Sequence, residues 1–248
     1  MRTEIRSTSR NEIPAAGAKR GLSARFIAPE YLDDLPSTDP RAIKSRRDLQ
    51  RLNHLMGSAR ILAGAVESFR PRRIVELGAG DGTLLLGVAQ RVSPAWSGAE
   101  LLLLDRYPIV KPTSLQRFSE FKCQAAAEPT EVHEWLSTAP GESCDLMIVN
   151  LFLHHFREDE LLALLASAAR VTRRFVALEP RRNGLSLTFS KLLGGIGCNS
   201  VTRHDAVVSV RAGFRRQELS QCWPTGNWRL QEGAAGCFSH LFVAVRNR

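Results

Sequence analysis

From Arg72 onward, short apolar runs alternate with amphipathic stretches, and this alternation constrains the fold more than any other feature of the chain. Strands separated by helices cannot close as hairpins. They pair in parallel, and the crossover helices cover both faces of the sheet. The pattern places strands at 74–77, 100–105, 144–150 and 174–178, with helices at 82–92 and 158–170. Between 106 and 143 the periodicity is weaker and gives a helix at 114–120, a strand at 121–125 and a helix at 130–136. Two further strands, 228–232 and 240–245, close the chain as an antiparallel pair, which makes seven.

Residues 26–71 read as a helical extension. Asp39 and Pro40 form a helix start, a capping acid followed by the residue suited to the first helical position. A helix over 40–54 would turn Ile43, Leu49, Leu52 and Leu55 inward. Gly57 ends it before a second helix over 58–69. Residues 1–25 are rich in Arg and Ser, lack the apolar core of a secretory signal and read as a disordered basic tail.

The chain carries 34 Lys and Arg against 25 Asp and Glu, a formal charge of +9, and 29 of the 34 are Arg. A positive balance can serve polyanion binding. Here the arginines lie in scattered pairs, such as Arg46-Arg47 and Arg215-Arg216, so solvated faces are expected and nucleic acid is disfavoured. Charges interrupt every hydrophobic run, so no membrane span is expected. The five cysteines are odd in number and never form a CxxC pair, which suggests reduced thiols in a cytoplasmic protein and no metal site.

The segment Ile74-Val75-Glu76-Leu77-Gly78-Ala79-Gly80-Asp81-Gly82-Thr83 lies between a strand and a helix. Glycines there let a ligand pack against backbone at the strand's carboxyl edge. A dinucleotide loop needs a third glycine where Thr83 stands, and Glu76 would repel pyrophosphate. A phosphate-binding P-loop is absent, since no Gly-Lys-Ser/Thr follows. Asp105 ends the next strand, where a carboxylate can accept hydrogen bonds from both hydroxyls of a ribose. An ion pair with Arg106 is the alternative.

Glu76-x-Gly78-x-Gly80-x-Gly82 closely resembles the acidic glycine loop of class I S-adenosylmethionine-dependent methyltransferases. The run from Cys144 to Phe156, with Asp145 opening the strand and Leu153-His154-His155 after it, is similar to the fourth strand of the small-molecule branch of that family. The resemblance covers about Arg72 to Leu178. It implies a Rossmann-like α/β domain over 72–248, with a mostly parallel seven-stranded sheet, helices on both faces and an antiparallel last strand. It also implies S-adenosyl-L-methionine as cofactor, held by Glu76, Gly78, Ala79, Gly80, Asp105 and Asn150. Adenine would meet an acid after the third strand, and Glu128 is the candidate. The prolines of base-amino methylases are missing after Asn150.

Residues 183–224 are too many for a connection and read as a substrate-covering insertion, with a helix over 185–193 and a turn or hinge at Gly194-Gly195-Ile196-Gly197. The expected function is O- or C-methylation of a small-molecule acceptor, such as a phenolic, quinol-like, polyketide or lipid metabolite. If a hydroxyl must lose its proton, His155 and His204 are the candidate general bases, His204 with Asp205 beside it to fix its tautomer. A reductase using NAD(P) and a non-catalytic binding protein of the same fold are the competing readings.

Overall fold

The computed structural model describes residues 22–247. Positions 1–21 of the expected tail lie outside the described residues, and Leu22 and Arg25 of the remainder are held. The Leu22 carbonyl accepts from Arg182 Nε at 3.1 Å and from Arg215 Nη1 at 3.0 Å. Arg25 Nε donates to the Ala212 carbonyl at 2.8 Å, and its guanidinium lies over the Phe214 ring. Leu22 and Arg25, within the expected tail, thus have fixed partners. The anchors are backbone carbonyls and an arginine stacked on an aromatic ring, which leave no apolar periodicity to read.

The extension contains α1 (Tyr31–Asp34), α2 (Pro40–Met56) and α3 (Ser58–Val66), with Asp39 capping α2 and Gly57 dividing it from α3 at φ 69°. The sheet units follow: β1 (Arg73–Leu77), α4 (Thr83–Val92), β2 (Glu100–Asp105), α5 (Pro112–Gln116) with a 3-10 turn, β3 (Gln124–Pro129), α6 (Val132–Thr138), β4 (Cys144–Asn150), α7 (Glu158–Val171) and β5 (Thr172–Pro180). The insertion folds as α8 (Gly184–Leu192), α9 (Ser200–Ala212) and α10 (Glu218–Cys222). The hairpin β6 (Trp228–Ala235) and β7 (Ser239–Arg246) ends the chain.

The seven strands lie in the order β3-β2-β1-β4-β5-β7-β6, with β7 antiparallel to both neighbours and all other pairs parallel. Each central strand is buried on both faces because its side chains alternate. Val75, Met147 and Phe175 join α7 in one core layer, while Ile74, Leu146 and Val176 join α3 and α4 in the other.

Two expectations need correction. The third strand runs over Gln124–Pro129 and not 121–125, because Phe121 belongs to the preceding 3-10 turn and the strand is an exposed edge built largely of alanines. Helix α2 leaves Ile43 and Leu55 exposed and buries Ala42, Ser45, Asp48 and Leu52 instead. Its inner face is polar where it meets α9: Asp48 Oδ2 accepts from Asn199 N at 2.9 Å, and the Thr202 hydroxyl lies 2.9 Å from Ser45 Oγ and 3.3 Å from Asp48 Oδ2. Truncating Asp48 would leave the Asn199 N–H without its acceptor, while Thr202 keeps Ser45 and Asn199 Oδ1. Asp48→Ala should cost about 1–3 kcal/mol in urea unfolding, while Ile43→Ser should stay within about 0.5 kcal/mol.

Candidate active site

The carboxyl ends of β1, β2, β4 and β5 open into one cavity of about 440 Å³, at the edge of the sheet where open α/β folds bind ligands. The loop after β1 forms one wall. Gly78 has φ 67°, and a Cβ built on it would stand 2.6 Å from Phe152 Cδ2, so only glycine lets that ring approach. Gly80 has φ 58° and a Cβ there would meet nothing within 4 Å, because the position faces open space. Ala79 is buried and donates its N–H to the Leu104 carbonyl at 2.9 Å, which ties the loop to β2.

Asp105 Oδ2 accepts from Gly80 N at 2.8 Å and Oδ1 accepts from Tyr107 N at 2.9 Å. Arg106 turns away to pair with Asp33 at 2.8 Å, so no direct ion pair claims Asp105. Burial raises the Asp105 pKa against the effect of these two hydrogen bonds. Glu76 is 1% exposed, and its Oε2 has no hydrogen-bond partner. Burial first, then Asp81 and Asp105 nearby, push its pKa well above the carboxylate range. Asn150 Nδ2 donates to Asn53 Oδ1 at 3.3 Å, while its own Oδ1 is buried and unpartnered. Glu128 is exposed and does not line the cavity; Thr130, Glu131 and Val132, just beyond it, do.

The same cavity is lined by Glu30, His154 and His155. Glu179, fully buried at the end of β5, accepts from Phe152 N at 3.0 Å and Leu153 N at 2.9 Å, and its other oxygen lies 2.8 Å from His154 Nδ1. His154 Nε2 faces Glu30 Oε1 at 3.4 Å, and His155 Nε2 faces Glu30 Oε2 at 3.3 Å. Burial acts to lower the His154 pKa, but Glu179 and Glu30 outweigh it and push it up to about 9. Burial acts to raise both carboxylates, yet the imidazoles hold Glu30 and Glu179 below their ordinary range. His155 Nδ1 sits 2.9 Å from the Phe152 carbonyl, which can only accept, so Nδ1 carries the proton and Nε2 faces Glu30.

His204 takes no part in this wall. It stacks on Tyr31 with centroids 3.6 Å apart, and its Nδ1 lies 2.9 Å from Asp205, but neither residue lines the cavity. Asp205 accepts instead from Tyr31 N at 2.8 Å and Leu32 N at 3.0 Å, so the pair fastens α1 onto α9. Expecting His204 at the acceptor is thus corrected, since adjacent side chains on one helix can face outward as readily as inward. Glu30 and Glu179 were missed as site residues. Glu30 is 124 positions from His154 and no local motif announces it, whereas the closing acid of β5 at the ligand edge was a visible signal for Glu179.

No family model matches the sequence, and no curated protein matches it. Solved structures do. An O-methyltransferase family protein from Burkholderia thailandensis aligns with a TM-score of 0.60 at 16% identity, over 85% of this chain and 61% of its own. The chain has the fold of class I S-adenosylmethionine-dependent methyltransferases. The plantazolicin methyltransferase BpumL, solved with a monoazolic desmethylPZN analogue and S-adenosylhomocysteine, aligns at 0.54 and 14% over 85% and 92% of the two chains. Human N-acetylserotonin methyltransferase, solved with S-adenosylmethionine, aligns at 0.51 and 13% over 87% and 61%. The chain thus spans about three fifths of the Burkholderia and human proteins.

Within this methyltransferase fold, Glu76 costs the ligand-free protein stability. Its folded pKa lies above its unfolded value, so its favourable contribution is complete only below the ordinary carboxylate range and fades as pH rises through the raised value. Glu76→Gln should raise the Tm of the ligand-free protein by roughly 2–6 °C at pH 8 and by less at pH 5. A fall in Tm at pH 8 would show that the carboxylate is already compensated.

Proposed function

We propose that the chain transfers a methyl group from S-adenosylmethionine to an oxygen of a small, largely apolar acceptor. The observation that carries this reading is a single cavity bounded both by the glycine loop with Glu76 and Asp105 and by the Glu30–His155 pair. The orphaned Glu76 Oε2 and Asn150 Oδ1 fit a ligand that brings N–H or cationic groups. Asp105 retains acceptor capacity for ribose hydroxyls beyond its two backbone hydrogen bonds. The bound donor supplies a methyl carbon activated by a positively charged sulfur.

The chain's own residues do the rest by placement and proton handling. Met56, Phe152, Phe156, Phe189 and Phe238 give the cavity an apolar lining suited to a ring or short chain and exclude water from it. A hydroxyl reaching His155 and Glu30 would give up its proton there, and holding it in line with the methyl carbon supplies most of the acceleration. The extension over 26–71 and the insertion over 183–224 jointly cover the acceptor in this reading. Leu52 packing on Leu193 and Cys198 supports that arrangement. The five free thiols suit a reducing cytoplasm, and among the described residues no helix is long and apolar enough to cross a membrane.

An NAD(P) reductase is less well supported. Dinucleotide folds of the usual strand order end on a parallel sixth strand, where this chain has the antiparallel β7. A binding protein without catalysis would take up the donor and turn over no acceptor from a screen of small phenols, quinol precursors and fatty acids with labelled donor.

Gly80→Val should abolish donor binding by calorimetry in a protein whose circular dichroism is unchanged; wild-type affinity would end the cofactor assignment. Asp105→Ala should weaken the donor by about 1–3 kcal/mol. His155→Ala should lower turnover by about 10²–10⁴ with donor affinity within about twofold of wild type, and full turnover would return His155 to a packing role.

A further inference from the structure

Glu30, His154 and His155 converge in a way that hydrogen bonding alone leaves incomplete. Their ligand-capable atoms all lie within 4.8 Å of one another, at the wall of the cavity. His154 Nε2 is buried and has no hydrogen-bond partner, although it points at Glu30. His155 presents Nε2 to the same carboxylate, with its proton committed to the Phe152 carbonyl on the other side. Two groups that both accept, facing each other at 3.3 Å, need a proton or a cation between them.

We propose that Glu30, His154 and His155 bind one divalent transition-metal ion of the zinc class, with an open coordination position toward the cavity. Bonds of about 2.0–2.2 Å at tetrahedral angles set ligand atoms about 3.4 Å apart. The two nitrogen-to-oxygen separations are 3.4 and 3.3 Å, each imidazole facing a different oxygen of Glu30, so a shift of the carboxylate or its use of both oxygens would complete the set. Each ring also has the support that metal-binding imidazoles use, since Nδ1 is engaged by a fixed oxygen and Nε2 is left free. For His154 that oxygen belongs to Glu179 at 2.8 Å, itself pinned by two backbone N–H groups, and for His155 it is the Phe152 carbonyl at 2.9 Å.

With both imidazoles neutral, Glu30 and Glu179 put two carboxylates at a buried site where Arg25, acting on Glu179, is a cationic neighbour, and a divalent ion would balance the remaining negative charge. A set of two imidazoles and one carboxylate suits zinc, cobalt, iron(II) or nickel better than magnesium or calcium, which take oxygen. A proton on His154 Nε2 and an ion there exclude each other, so the arrangement with Nε2 facing Glu30 at 3.4 Å is the ion-free form of the same site.

Three protein ligands and one open position is the arrangement of a reactive centre, where a structural one would be closed. Its use in turnover rests on the methyl-transfer reading. An acceptor hydroxyl taken into the open position would release its proton to solvent near neutral pH, as zinc-bound water does, with His155 acting as a ligand in place of a proton acceptor.

The test is titration of the chelator-treated full chain with Co²⁺, followed by competition with Zn²⁺. One equivalent should bind with micromolar affinity or tighter and give visible d–d bands without thiolate charge-transfer absorption, unchanged in a Cys222→Ser/Cys237→Ser variant. Glu30→Gln and His155→Gln should each weaken binding at least about tenfold, and Glu179→Gln by about 10–100-fold through the orientation of His154. Calorimetry should find donor affinity unaltered in Glu30→Gln and His155→Gln. The proposal is overturned by a lack of stoichiometric binding, by a thiolate band, or by binding that survives both Glu30→Gln and His155→Gln. Cobalt binding in a protein that does not bind the donor would sink the methyl-transfer reading and keep the metal site; donor binding without cobalt binding would do the reverse.

Discussion

Glu179 is the interaction on which the site depends. Burying a carboxylate costs several kcal/mol unless its oxygens are satisfied, and this one accepts from two backbone N–H groups and meets the His154 imidazole. Those contacts fold the segment after β4 back onto β5. Leu151, immediately before it, sits at φ 51°, a left-handed conformation that costs a residue with a side chain about 1–2 kcal/mol and that the contacts on either side sustain. The turn aims Phe152 at the glycine loop, where it occupies the space that a Cβ on Gly78 would need. One buried acid therefore shapes the histidine wall of the cavity and, through a single ring, the loop on its other side.

The same acid reaches the extension. His154 is oriented by Glu179 on one side and turns its other nitrogen to Glu30, which lies just ahead of α1. Asp205 independently fastens the first two residues of α1 to α9. The segment from Leu22 to Asp34 is thus held from the β4–α7 connection and from the insertion together. Neither the extension nor the insertion packs as an independent unit, and the cavity exists only where the two meet the sheet edge.

Sequence alone revealed the features whose partners lie nearby or whose residue types are forced. Strands β2 and β4 were legible to the residue because both faces are buried and the apolar run stops where the sheet does. The place of Asp105 at the end of the strand next to the glycine loop was legible because strand, loop, helix and strand follow in fixed order, whereas its bond from Gly80 N was not. Strand β3 was displaced because an edge of alanines carries little apolar signal and Phe121 carries much. The inner face of α2 was misread because hydrogen bonds to α9, across more than 150 positions, replace the apolar stripe that periodicity seeks. His204 beside Asp205 looked catalytic because two adjacent residues reveal nothing about the direction their helix faces. Glu30 was invisible for the opposite reason, since only tertiary structure brings it to the histidines.

The two regions of the cavity differ in how their charge is balanced, and this bears on what can bind. At the histidine wall Glu30 and Glu179 each have an imidazole against them. Along the glycine loop, burial first and then Asp81 and Asp105 raise the Glu76 pKa, and among the described residues no cationic side chain is paired directly with Glu76 or Asp105. Arg46 acts on Asp105 only as a lesser influence, and Arg106 is spent on Asp33. A wall of this kind is relieved by a cationic ligand and made worse by an anionic one. In the proposed reading, a donor carrying a sulfonium and an ammonium group would offset the repulsion among these acids. A dinucleotide would instead bring two phosphate charges to a loop where burial and two neighbouring acids already oppose ionisation of Glu76, which in that reading is a reason to prefer the sulfonium donor alongside the glycine spacing and the strand order.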